Sequence, residues 1–216
     1  MSRWSQRIVE LRQYTLRPGQ RDVLIELFDR EFVESQEAAG MAILGQFRDL
    51  DDPDRFVWLR GFPDMESRAR ALGDFYGGPV WKAHRDAANA TMIDSDDVLL
   101  LRPVPQDGGF PIPDSPRPPV GSAGLPESVL VATVCRYEEK LVDTFEREVR
   151  PALGTSLLAC FRTEHSPNTF PALPVREGED VFVWFARFPT LDSVDRLYTG
   201  PGQRLRLAPT ARSSLR

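Results

Sequence analysis

Cysteine, histidine and lysine are almost missing from this sequence, and each scarcity removes a class of function. Cys135 and Cys160 are the only cysteines and lack C-x-x-C spacing. They read as free buried thiols of a cytoplasmic chain rather than a disulfide framework. Only His84 and His165 could join them as ligands, so no metal is expected. Two histidines so placed also build no Ser-His-Asp set. No apolar run approaches the ~18 residues of a membrane span. The polar opening Met1-Ser2-Arg3-Trp4-Ser5-Gln6-Arg7 lacks a signal-peptide core. Lys82 and Lys140 are the only lysines, so arginine carries nearly all the basic charge, as the codon bias of a GC-rich bacterial genome would produce. A net charge of -5 argues against a nucleic-acid binder. Gly77-Gly78-Pro79 lacks the spacing and the lysine of a phosphate loop, and no cofactor is expected.

What the sequence does contain is itself, twice. Phe56-Val57-Trp58-Leu59-Arg60-Gly61-Phe62-Pro63 returns as Phe182-Val183-Trp184-Phe185-Ala186-Arg187-Phe188-Pro189. Phe28-Asp29-Arg30-Glu31-Phe32 returns as Phe145-Glu146-Arg147-Glu148-Val149, and Gly40 to Phe47 matches Gly154 to Phe161. The order is the same in both halves, the mark of a duplicated domain. Residues 1–103 are expected to form a first repeat and 129–216 a second. Residues 104–128, rich in proline and glycine, read as a stiff extended linker.

Within the first half, Ile8 to Thr15 reads as a strand. Val23, Leu24, Leu27, Phe28 and Phe32 recur at helical spacing from Gln20 to about Ala38, and Gly40 ends that helix. Strands over Met41–Arg48 and Arg55–Phe62 form a hairpin. A helix to about Leu72, another over Pro79–Thr91 and a strand at Val98–Leu101 complete the half. Strand, helix, strand, strand, helix, strand is the ferredoxin-like order, with one bare sheet face. The second half carries an insertion between its hairpin strands, containing His165 and Phe170, and lacks the late helix that bears Trp81 and His84. Tyr198-Thr199-Gly200-Pro201 echoes Tyr76-Gly77-Gly78-Pro79.

The opening strand, Glu10-Leu11-Arg12-Gln13-Tyr14-Thr15-Leu16-Arg17-Pro18-Gly19, resembles that of the NIPSNAP family. Phe56 to Ala71 and Pro79-Val80-Trp81-Lys82 are similar to that family as well. The resemblance covers residues 7–103 well and 129–209 weakly. It implies a dimeric α+β barrel, here built within one chain from two tandem ferredoxin-like repeats whose sheets pack face to face, the second lacking a late helix. It implies no agreed chemistry and fixes no catalytic residue.

The pleat puts Glu10, Arg12 and Tyr14 on one face of the first strand, and Trp58 and Arg60 on one face of the third. Aliphatic Val9, Leu11, Val57 and Leu59 take the opposite faces. The expectation is that the aliphatic faces pack under the helices and the polar-aromatic faces line the barrel. Such a set suits a small anionic or aromatic ligand. The plain alternative is that Glu10 and Arg12 or Arg60 neutralise each other inside a packed interface. Trp81 and His84, with Asn89, are residue types also used by cofactor-free monooxygenases of similar barrel shape. The plain reading of His84 is a surface-helix histidine, and of His165 an exposed loop residue. Any site should belong mainly to the first half, since Thr133, Cys135, Trp184 and Ala186 replace Arg12, Tyr14, Trp58 and Arg60. The inserted loop should lie near its mouth. Three functions stay open: a binder of a small ligand or partner, a cofactor-independent monooxygenase or isomerase of an aromatic or polyketide-like substrate, and a structural module. The fused pair could associate further as a homo-oligomer.

Overall fold

A computed structural model describes residues 6–104, 109–111, 113, 115–194 and 202–216. Eight strands close into one antiparallel barrel in the order β1-β3-β2-β8-β5-β7-β6-β4. They are β1 (Ile8–Leu16), β2 (Ala42–Asp49), β3 (Arg55–Phe62), β4 (Met92–Pro103), β5 (Val129–Arg136), β6 (Leu157–Thr163), β7 (Val181–Phe188) and β8 (Gln203–Pro209). The sets β4-β1-β3-β2 and β8-β5-β7-β6 run in the same internal order. They do more than pack face to face: backbone pairing joins β2 to β8, from Phe47↔Pro209 to Asp49↔Leu207, and β4 to β6, from Leu101↔Thr163 to Pro103↔Phe161. No sheet edge is left open along these seams.

Helices cover the outside. In the first half these are α1 (Arg21–Leu27), a π-helical turn (Phe28–Phe32), α2 (Val33–Ala38), α3 (Met65–Gly77) and α4 (Pro79–Thr91). In the second they are α5 (Glu139–Thr144), a π-helical turn (Phe145–Val149) and α6 (Arg150–Leu153). The two π turns fall on the two matching pentapeptides. Gly40 follows α2 at φ 98°, a conformation glycine adopts without penalty. α3 and β4 are both longer than the hydrophobic pattern alone marks. The echo at Tyr198–Pro201 lies outside the described residues. Among the described residues no helix is long and apolar enough to cross a membrane.

The expected assignment of the sheet faces is reversed. Val9, Leu11, Val57 and Leu59 point into the barrel, where they pack with Leu99, Leu130, Ala132, Val183, Phe185 and Leu205. Tyr14, Phe56 and Trp58 point outward and pack under the helices with Phe28, Phe32 and Phe75. The pleat distinguishes two faces but not which one is enclosed. A barrel interior walled by strands and filled with apolar side chains offers few partners for a buried charge, so the aliphatic face goes in. The helical layer brings polar side chains of its own, and the charged face turns toward them.

The proline-rich segment is not a free spacer. Phe110 inserts into the barrel core, 5.0 Å from the Phe161 ring and 4.9 Å from that of Phe185. Arg117 donates to the carbonyls of Ile43 and Arg212 and pairs with Glu37 at 3.1 Å. The tail returns along β2, with Leu215 N donating to Leu44 O at 3.0 Å.

Candidate functional site

β1 and β3 run side by side with Glu10 opposite Arg60, Arg12 opposite Trp58 and Tyr14 opposite Phe56. The register alone therefore gathers five of the predicted site residues on one face. Glu10 sits at the centre and is fully buried. Its Oε2 accepts from Arg12 Nη1 and Arg60 Nε, each at 2.7 Å, and its Oε1 accepts from Arg68 Nε at 2.6 Å. Burial alone would raise the Glu10 pKa, but Arg60, Arg12 and Arg68 outweigh it and hold the carboxyl far below the usual range. Desolvation opposes the charge on Arg12, yet Tyr14 and Glu10 hold its pKa above the ordinary value. Burial lowers that of Arg68 despite Glu10. Burial raises the Tyr14 phenol, whose oxygen accepts from Arg12 Nε at 3.1 Å.

Three guanidiniums thus share one carboxylate, leaving two formal positive charges in excess in a layer closed to water. The other groups facing them are neutral. Gln36 Oε1 accepts from Arg60 Nη1 at 3.1 Å, and Asn168 Oδ1 and Thr169 Oγ1 accept from Arg68 Nη1 at 3.0 and 3.2 Å. Arg60 Nη2, Arg68 Nη2 and Trp58 Nε1 are buried donors without a partner among the described residues. Arg60 lies 5.0 Å from the Trp58 ring centroid and 6.0 Å from that of Tyr76.

Beside this cluster an apolar crevice of about 30 Å³ opens between sheet and helices, lined mainly by Tyr14, Phe28, Trp58, Phe75, Tyr76 and Trp81. Its walls are aromatic edge contacts, such as Phe28–Trp58 at 4.8 Å and Tyr76–Trp81 at 4.9 Å. Of the seven predicted residues, Tyr14, Trp58 and Trp81 belong to this wall. His84 does not: it is half-exposed, 3.5 Å from Glu31. His165 is exposed in the inserted loop, 3.6 Å from Asp180. Among the described residues no group of His, Cys, Asp and Glu could hold a metal ion.

Arg68, Gln36, Tyr76, Asn168 and Thr169 were not marked by the sequence as site residues, although the loop carrying Phe170 was expected near the mouth. Arg68 and Gln36 carried a signal. Met65, Arg68, Leu72 and Phe75 form one stripe of α3, and Phe28, Phe32 and Gln36 one stripe of the first helical segment. In each, a polar residue holds a position that spacing assigns to the core. The inserted loop, between β6 and β7, does reach this face: Phe170 stacks on Tyr76 at 5.9 Å and 26°.

Among the described residues the second half holds no buried carboxylate shared by guanidiniums. Val131 lies opposite Ala186 and Thr133 opposite Trp184. Trp184 packs on Phe145 at 4.9 Å, as Trp58 packs on Phe28, but no guanidinium or carboxylate accompanies it on these strands.

Comparison with known proteins finds a family model that matches just under half of the chain. The NIPSNAP family model matches residues 9–106. A NIPSNAP family protein of Agrobacterium tumefaciens is 22% identical over 45% of this chain and 93% of its own, with a TM-score of 0.43. A provisionally named monooxygenase of Fusobacterium nucleatum is 9% identical and covers 96% of this chain and 94% of its own, with a TM-score of 0.56. Another, from Lactobacillus acidophilus, is 10% identical over 94% and 93%, with a TM-score of 0.55. The last two share the fold of nearly the whole chain. No curated protein matches the sequence.

Proposed function

We propose, for a chain that carries a NIPSNAP domain over residues 9–106 and whose activity is unestablished, that it binds a small planar anion between the first-half sheet and its helices. One observation carries this reading: Glu10 is shared by Arg12, Arg60 and Arg68, and donors on Arg60, Arg68 and Trp58 are left over beside an aromatic crevice. Unneutralised charge in a dry layer is costly, and an oxyanion placed there relieves it. The aromatic wall suits a ring or conjugated chain. At about 30 Å³ the crevice holds a water or two, so a ring enters only if half-buried Trp81 and α4 give way. The barrel interior, filled with side chains, is not the binding place.

The matching pentapeptides, the shared strand order and the two π turns support reading 1–103 and 129–216 as fused copies joined by 104–128. In a fused pair one copy can specialise, whereas a symmetric homodimer keeps both sites alike. The experiment is a thermal-shift screen of aromatic and aliphatic carboxylates, repeated with Arg12→Ala and Thr133→Ala. Stabilisation by an aromatic carboxylate that is lost in Arg12→Ala and kept in Thr133→Ala supports the reading, and the opposite pattern contradicts it.

A second reading is favoured by the near full-length fold shared with the two provisionally named monooxygenases. The same buried cations would stabilise a phenolate or enolate of the substrate for cofactor-independent oxygenation. Oxygen uptake on adding a hydroxylated polycyclic aromatic to the purified protein tests it.

A further inference from the structure

We infer that the loop inserted between β6 and β7 positions Arg68 through Asn168, and so sets the preference of the first-half site for an anion. The inference rests on the anion-binding reading above. Arg68 spends Nε on Glu10, and its Nη1 is held by Asn168 Oδ1 and Thr169 Oγ1. Only Nη2 is left without a partner among the described residues. A guanidinium is a rigid planar fork, so fixing Nε and Nη1 also fixes the direction of Nη2. Both acceptors from the loop are neutral. They orient the group without cancelling its charge, which a carboxylate at the same place would do.

Asn168 is itself held from two sides. Its Nδ2 donates to Leu173 O at 2.9 Å, and its Oδ1 also accepts from Phe170 N at 3.0 Å. The loop is fastened onto the site by further contacts. Thr169 Oγ1 donates to Met65 O at 3.1 Å at the start of α3, Phe170 lies on Tyr76 in the crevice wall, and Leu173 packs against the same aromatic cluster. The first half has only a short turn between β2 and β3, where its Arg55 pairs with Asp49 and Asp52. The positioning of Arg68 is thus a contribution of one half to the site of the other. Asn168 touches no reacting group and is a positioning residue.

The test uses the full chain as wild type, Asn168→Ala and Asn168→Asp, with benzoate and benzyl alcohol titrated by calorimetry. Benzoate should bind wild type more tightly than the alcohol. Asn168→Ala should weaken benzoate about tenfold, the scale of one charge-assisted hydrogen bond, and leave the alcohol unchanged. Asn168→Asp keeps both hydrogen bonds to Oδ1, exchanges the Nδ2 donor to Leu173 O for an oxygen, and places a carboxylate on Arg68. It should weaken benzoate at least as much and leave the alcohol unchanged, whereas a purely structural role predicts that both probes weaken together, a result that would overturn the inference. Wild-type benzoate affinity in Asn168→Asp overturns the inference and leaves the anion-binding reading standing. Wild type that takes up neither probe, or both equally, overturns the reading and the inference with it. Should Asn168→Ala fail to fold, Asn168→Asp decides alone.

Discussion

Glu10 is the residue on which the first half turns electrostatically. Removing one member of a buried ion cluster leaves the others uncompensated and costs about 3–5 kcal/mol. Glu10→Gln should therefore lower the free energy of unfolding by about that amount in urea titrations, more than any single change among the exposed pairs such as Arg30–Glu26. Its depressed pKa makes the sign with pH definite. The contribution is complete above the ordinary carboxylate range and is lost as pH falls below it, so the penalty of Glu10→Gln should shrink in acid. Trp58→Ala, which truncates a buried ring packed on Phe28 and Tyr14, should cost about 3–5 kcal/mol; an unchanged denaturation midpoint would contradict its placement. At this scale much was legible. Period-two alternation paired Glu10, Arg12 and Tyr14 with Trp58 and Arg60 before any coordinates. It could not supply the third guanidinium, because Arg68 sits on a helix whose docking onto the sheet depends on the whole layer. His84 drew notice only for its residue type, and its ring meets Glu31 instead of the cluster.

Helices and loops carry the next set of consequences. Asp29 lies in the π turn Phe28–Phe32, and burial lifts its carboxyl to about 6 against the pull of Arg212 and Arg117. The unfolded chain releases this proton near the usual 3.8. Stability from the protonated form is therefore fully present at low pH and drains away as pH rises from about 4 through 6. Asp29→Asn should match wild type near pH 4 and exceed it at pH 8 by on the order of 2–3 kcal/mol. Thermal melts at the two pH values check this, and a constant difference between the proteins would contradict it. The element order was readable because glycine, proline and the hydrophobic period mark the boundaries. The face of each sheet was not, since alternation is unchanged when inside and outside are exchanged. The docking of the inserted loop on α3 was not readable as contacts either, because it depends on partners far apart in sequence.

At the scale of the molecule, the two four-stranded sets depend on each other. Each offers the barrel an aliphatic face that would otherwise meet water, and two seams of backbone pairing join them. A protease site placed at the exposed turn around Gly121–Gly124 should yield two fragments that stay together as one particle in size-exclusion chromatography. Fragments that separate and remain folded would contradict the closed barrel. Closure was implied by the repeat and its family resemblance, while the plugging of the core by Phe110 was hidden in a segment whose composition suggested only a spacer. The central claim is that the ligand layer lies outside this barrel, in the first half. Its most direct test is the anomalous difference map of a crystal soaked with 4-bromobenzoate. A bromine peak is expected in the aromatic crevice by Trp58 and Trp81, with the carboxylate toward Arg60 and Arg68. A peak inside the barrel, or one beside Trp184 in the second half, would contradict it.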